Sequence, residues 1–165
     1  MWQDKGFYMD EKTDVAAAMQ LLENLLVSIP ASYQNLSEDA LLYPPAPGKW
    51  SRQQVLGHLI DSAINNLKRF TDIQLAGETY QIQAYPQDGL VEVNHYQQLP
   101  LAHLLSLWSA LNRQIVFVVG RIPPQKLVCR IQPQYDQTGI KTLGWLVCDY
   151  VAHLQHHLRA MGMID

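Results

Sequence analysis

Residues 149–161 read DYVAHLQHHLRAM, which places three histidines in five positions. A neutral imidazole ligates zinc, nickel, copper and iron, and it takes up or gives up a proton near neutral pH. His153 and His157 are four residues apart. On a helix such a pair stands one above the other, so two ring nitrogens can reach one ion without bending the backbone. At about 100° per residue, Leu143, Leu146, Val147, Tyr150, Val151, Leu154, Leu158 and Met161 fall within about 70° of one direction. His157 lies about 55° from that direction and His153 about 95°, on the same flank, whereas His156 lies about 155° away, toward solvent. An inward HxxxH pair fits a metal site, but by itself it more often means two boundary histidines bonded to their neighbours. Asp149, one turn before His153, either orients that ring as a carboxylate partner or is a solvated acid.

A catalytic metal commonly takes three protein ligands and keeps an open position. If the third is a histidine, it is His58, His95 or His103. In the segment around His58 the apolar face consists of Val55, Leu56, Leu59, Ile60, Ala63, Leu67 and Phe70. His58 lies about 140° from its centre, so periodicity does not place it in the core. His58 instead begins a stripe with Ser62, Asn65 and Arg69, readable as a solvent face or as the polar lining of a groove. His95 falls in a long connection from which it could approach an open metal position, and His103 reads as an ordinary helix residue.

Four segments with helical period must position these groups. The first covers residues 13–35, and Pro30 is expected to kink or split it. LSEDAL follows as one turn with Ser37 at its N-cap, and YPPAPGKW is a loop. Ser51 caps the second helix, which runs to near Gly77. The connection at residues 78–96, ETYQIQAYPQDGLVEVNHY, is long for a compact domain and is a candidate lid or pocket wall. Its Tyr80, Tyr85 and Tyr96 could line a pocket. The third helix covers residues 98–121. Residues 122–139 are irregular, with a short extended piece at KLVCRIQ, and the fourth helix runs from residue 141 or 142 to the end. With no sustained strand alternation, the expectation is an all-α four-helix bundle, residues 1–165 forming a single domain.

Composition narrows the function classes. The 165 residues are 48% hydrophobic and 16% charged, with a net charge of −3 and a pI near 6.0. That balance offers no basic stripe for nucleic acid and no cationic face for a membrane. The low charge share suggests surface covered by a partner subunit. The acidic N-terminus is no signal peptide, and no uninterrupted apolar run reaches the roughly 18 residues of a membrane span. A soluble cytoplasmic protein is expected. Cys129 and Cys148 read as two buried free thiols. Trp2, Trp50, Trp108 and Trp145 read as packing or interface residues.

The stretch PAPGKWSRQQVLGHLIDS, taken with TLGWLVCDYVAHLQHHLRAMGMI, resembles the DinB-like superfamily, also called the YfiT-like metal-dependent hydrolases. The likeness rests on GKWS after a loop, a helix carrying GHL, and a final helix with HxxHH. It implies a four-helix bundle of up-down-down-up order, a homodimer, and a divalent metal, nickel or zinc, held by three histidines. Carried over by position, those are His58, His153 and His157. The stripe of Ser62, Asn65 and Arg69 then becomes groove lining, His156 is left outside, and Trp50 plugs the start of the second helix. Such an ion activates water or a low-molecular-weight thiol, so the implied enzyme is a hydrolase or a thiol S-transferase acting on a small molecule. The sequence displays no general base beside the ligands, since no Glu follows His153 as in HExxH. A bound thiolate needs none, which leans the reading toward thiol transfer. The competing class is a non-enzymatic dimeric bundle, a binding or stress-response module with a structural metal or none.

Overall fold

Serine and threonine hydroxyls start three of the helices, at Ser37 and Ser51 as their positions before apolar periodicity predict and also at Thr142. The computed structural model describes residues 14–134 and 139–164. Trp2, the rest of the N-terminal stretch and the expected first turn at residue 13 lie outside the described residues. The helices are α1 (Val15–Gln34), α2 (Glu38–Leu42), α3 (Arg52–Leu75), α4 (Gln87–Val93), α5 (Leu101–Val119), α6 (Pro124–Leu127) and α7 (Leu143–Ala160). Three short strands, β1 (Tyr80–Ile82), β2 (Arg130–Pro133) and β3 (Lys141–Thr142), and a 3-10 turn (Tyr96–Gln98) fill the connections. The Ser37 Oγ accepts from the Ala40 amide at 3.2 Å. Ser51 and Gln54 form a reciprocal capping box at the head of α3. Thr142 caps α7 through the Trp145 amide at 3.2 Å.

Pro30 neither splits α1 nor ends it: the helix continues to Gln34. The proline removes one amide donor, but Ile29 and Tyr33 on either side of it are fully buried, and that packing carries the helix past the lost bond. By length and composition α1 is apolar enough to cross a membrane. Gln20, Glu23, Asn24 and Ser28 interrupt its apolar residues, and the stripe Met19, Leu22, Leu25, Ile29 and Tyr33 faces the bundle core.

Contacts at the helix ends fix the topology. The Tyr33 hydroxyl at the end of α1 donates to the Arg52 carbonyl at the start of α3, 3.1 Å, and meets the Met161 sulfur just past α7, 3.6 Å. Arg52 Nη2 donates to the Met161 carbonyl at 3.2 Å. So α1 and α7 run parallel, and α3 runs against both. Gln53 Nε2 donates to the Tyr96 and Leu99 carbonyls ahead of α5, and Lys126 beyond α5 donates to the Gln74 carbonyl near the end of α3. Helices α3 and α5 are therefore parallel, and α1, α3, α5 and α7 make a four-helix bundle in up-down-down-up order. Parallel α3 and α5 require the connection at residues 76–100 to return along the bundle. It does so with β1, α4 and the 3-10 turn, so this stretch is more structured than its sequence suggests. At the end where α3 finishes and α7 begins, β1 pairs in parallel with β2, which pairs antiparallel with β3. The extended piece expected at KLVCRIQ is β2. Neither cysteine forms a disulfide, and each is half-buried rather than buried.

The N-terminal half of α3 is enclosed on nearly every side, with Gln53 and every residue from Val55 to Ala63 buried. One reason is Gly57. A β-carbon there would fall within the ring of Tyr96, which lies directly against the helix. In an open helix Gly→Ala stabilises by about 0.5–1 kcal/mol. Here Gly57→Ala should instead destabilise by about 1–3 kcal/mol, because the ring must be displaced. A urea midpoint at or above that of the wild type would refute this packing.

Candidate metal centre

His58 sits in the second turn of α3, and His153 and His157 lie in the last turns of α7, so antiparallel packing brings them to the same end of the bundle. Among the described residues they form a group whose ring nitrogens all lie within 4.8 Å of one another. The Nε2 atoms of His58 and His153 are 3.1 Å apart. Ring centroids are separated by 5.3 Å for His58 and His153, 4.7 Å for His58 and His157, and 4.6 Å for His153 and His157. Residues 95 positions apart meet here because α3 and α7 are neighbours.

His58 is fully buried, contrary to the solvent face that periodicity alone favours. The apolar average of α3 points toward α5, while α7 covers the other side and the indole of Trp50 lies with its centroid 5.0 Å from the His58 ring. His153 and His157 are half-buried and His156 is exposed, as the wheel predicts. Burial, with the charge of neighbouring imidazoles, pushes His58, His153 and His157 down to about 4. At neutral pH all three rings are therefore neutral and present lone pairs.

The donor set suits a divalent ion. Two nitrogens each about 2.0–2.1 Å from one ion stand about 3–3.4 Å apart at octahedral or tetrahedral angles. The observed 3.1 Å between His58 and His153 falls in that interval. The Nδ1 of His58 is buried without a protein partner.

The other residues singled out in the sequence are distributed around this group. Ser62 is buried one turn beyond His58 and hydrogen-bonds the phenol of Tyr85, which is half-buried. Asn65 turns its amide back to the Asp61 carbonyl at 2.8 Å. Arg69 donates to the Gln83 carbonyl at 2.7 Å, and its guanidinium carbon lies 5.5 Å from the Tyr85 ring centre. Ser62 and Arg69 thus hold the connection against α3, with Tyr85 between them. Tyr80 lies away from the histidines and donates to Asp72 at 3.2 Å. His95 and His103 are exposed and outside the three-histidine group. Asp149 is half-buried one turn before His153. Trp108 is fully buried, and Trp145 is half-buried with the Lys141 Nζ 5.5 Å from its ring centre.

Asp61 and Asn94 carry no signal as single positions, and Tyr96, read as a pocket tyrosine, instead packs against α3 and binds Asp61. Asp61 is only 3% exposed, and its Oδ1 accepts from the Tyr96 hydroxyl at 2.6 Å and from Asn94 Nδ2 at 3.0 Å. The available clue is a second stripe on α3, Gln53, Gly57 and Asp61, spaced by four, all of which meet the segment at residues 94–99.

Fold and site together define an up-down-down-up helical bundle with three histidines gathered at one end between the second and last long helices. The profile of the DinB superfamily matches residues 16–161, and the chain belongs to that family. It is 26% identical over 157 residues to a Bacillus pumilus protein named "Putative metal-dependent hydrolase", covering 93% of this chain and 88% of the relative. It is also 26% identical over 140 residues to "Putative metal-dependent hydrolase YfiT" of Bacillus subtilis, covering 85% and 78%. Among solved structures, YfiT from Bacillus subtilis, described as a probable metal-dependent hydrolase with an unusual four-helix bundle topology, superposes with a TM-score of 0.73 at 23% identity. That likeness covers 97% of this chain and 94% of the other.

Proposed function

We propose that this protein is a metal-dependent enzyme whose His58, His153 and His157 hold one divalent ion, nickel or zinc, and whose substrate is a small molecule attacked by water or by a low-molecular-weight thiol. The observation that carries the reading is the convergence of three neutral imidazoles from two helices within 4.8 Å. When bound, a divalent ion supplies Lewis acidity that lowers the pKa of a coordinated water or thiol. The protein's own residues hold and enclose. His153 and His157 would hold the ion from a single helix and His58 would hold it from α3, while Trp50 packs beside the His58 ring. Tyr85 is held against α3 through Ser62.

The purely structural alternative would need a closed, four-coordinate set. Among the described residues the group contains three donors, which favours a centre that leaves room for a ligand. Elemental analysis of protein purified without an affinity tag tests the reading. About one nickel or zinc per chain is expected. A chain that carries no divalent ion, and binds none on dialysis against Zn2+ or Ni2+, overturns it.

A further inference from the structure

Asp61 is a buried carboxylate whose two oxygens are treated differently. Its Oδ1 takes two hydrogen bonds, from Tyr96 and Asn94, while its Oδ2 is buried with no protein partner. Buried polar atoms are usually paired, and a carboxylate serving only to pin Tyr96 would use no more than Oδ1. An asparagine carbonyl would serve that purpose at lower desolvation cost.

The location of Asp61 points to chemistry. On α3 it follows His58 by three residues, so the two are neighbours on the helix surface. Ser62, also one turn from His58, holds the Tyr85 phenol, and the Asp61 charge reaches that phenol too. Tyr85 in turn lies near enough to Tyr150, one turn before His153, to influence it. Asp61 and Ser62 therefore lie within one turn of His58 on the buried half of α3, with Tyr85 of the connection against them. Burial raises the Asp61 carboxyl above the ordinary carboxylate range, which strengthens it as a proton acceptor.

We infer that Asp61 is the proton acceptor of this centre, its free Oδ2 taking first the hydrogen bond and then the proton of the water or thiol that enters beside the three histidines. In that step the O–H or S–H bond breaks, its electron pair stays on oxygen or sulfur, and the proton makes Asp61 a neutral carboxylic acid. Return of that proton to the departing group restores the carboxylate. Tyr96 and Asn94 orient the base through Oδ1, and Gly57 lets the Tyr96 ring lie close enough to do so. The inference rests on the metal-centre reading, and it removes the reason for preferring a thiol on the ground that no base is present.

Asp61→Asn tests it, because the amide oxygen can still accept from Tyr96 and Asn94 while the basicity is lost. The probes are acetohydroxamic acid, which must lose a proton to bind an ion as an anion, and azide, which has none to lose. Both are titrated into Co2+-loaded protein and followed by visible absorption. Acetohydroxamic acid should bind D61N roughly 10- to 100-fold more weakly than wild type, the loss of one charge-assisted hydrogen bond. Azide should bind as well or better, since a repelling carboxylate is gone. Asp61→Ser should behave alike. Equal acetohydroxamate affinity in a folded variant overturns the inference and leaves the metal centre standing. So does a loaded wild type that binds no acetohydroxamate. If both variants fail to fold, Asp61 is a latch and the inference falls. A wild type that takes up no Co2+, Zn2+ or Ni2+ defeats the metal reading itself.

Discussion

Single replacement of His58, His153 or His157 by Ala is expected to weaken Zn2+ or Ni2+ binding roughly 100-fold or more, above the 10- to 100-fold that losses around a ligand produce. The three rings form one group within 4.8 Å, so each variant leaves two donors and a gap. His156→Ala supplies the control. It is one residue from His157 with its ring centroid 5.5 Å away, yet it is exposed on the outer side of α7 and outside the group. Its removal should leave metal affinity unchanged. The measurement is competition against a chelator of known affinity, with the urea midpoint taken in EDTA alongside. His58→Ala also opens a cavity beside Trp50, and the midpoint separates lost packing from lost ligation. Affinity that survives His153→Ala but not His156→Ala would mean that α7 presents its other flank to α3. Affinity that survives all four would remove the metal centre.

The second large effect is acid destabilisation of the metal-free chain. His58, His153 and His157 are held near pKa 4 in the fold, against 6.5 for the unfolded chain. Below about pH 6.5 the unfolded state gains protons that the native state refuses, so stability is full above that pH and falls as pH drops toward 4. Each ring contributes at most about 2 kcal/mol at pH 5. Because water reaches the rims of His153 and His157, the combined loss should be on the order of 3 kcal/mol. Asp61, raised in the fold, acts in the opposite sense at the acid end of the window, regaining stability as it protonates. Urea midpoints in EDTA from pH 7.5 to 5 should therefore decline, and His153→Ala should flatten the decline. A flat wild-type profile would mean that the rings protonate freely inside the fold. With metal present, the same range should bring release of the ion, because protons and the ion compete for the same lone pairs.

Much of this protein was legible along the chain because the relevant physics is local. The caps at Ser37 and Ser51, the four long helices, and the opposite facing of His156 from His153 and His157 follow from hydroxyls at helix starts and from a 3.6-residue period. The resemblance to the DinB-like family, carried by GKWS, GHL and HxxHH, pointed to His58 against the helical wheel. Only the tertiary structure decided the rest. A wheel averages apolar residues into one inward direction and assumes that the remainder faces water. That assumption fails for α3, which α5, α7 and the returning connection enclose, so His58 and Asp61 are buried on faces that look polar in sequence. Pro30 breaks a local rule and is carried by the packing of Ile29 and Tyr33. The pairing of Asp61 with Asn94 and Tyr96 has no local signal, because it joins residues 33 and 35 positions apart through the path a chain must take when α3 and α5 run parallel. Side-chain type and period set which groups a helix can offer. Which of them meet, and whether water reaches them, depends on the neighbours that topology brings.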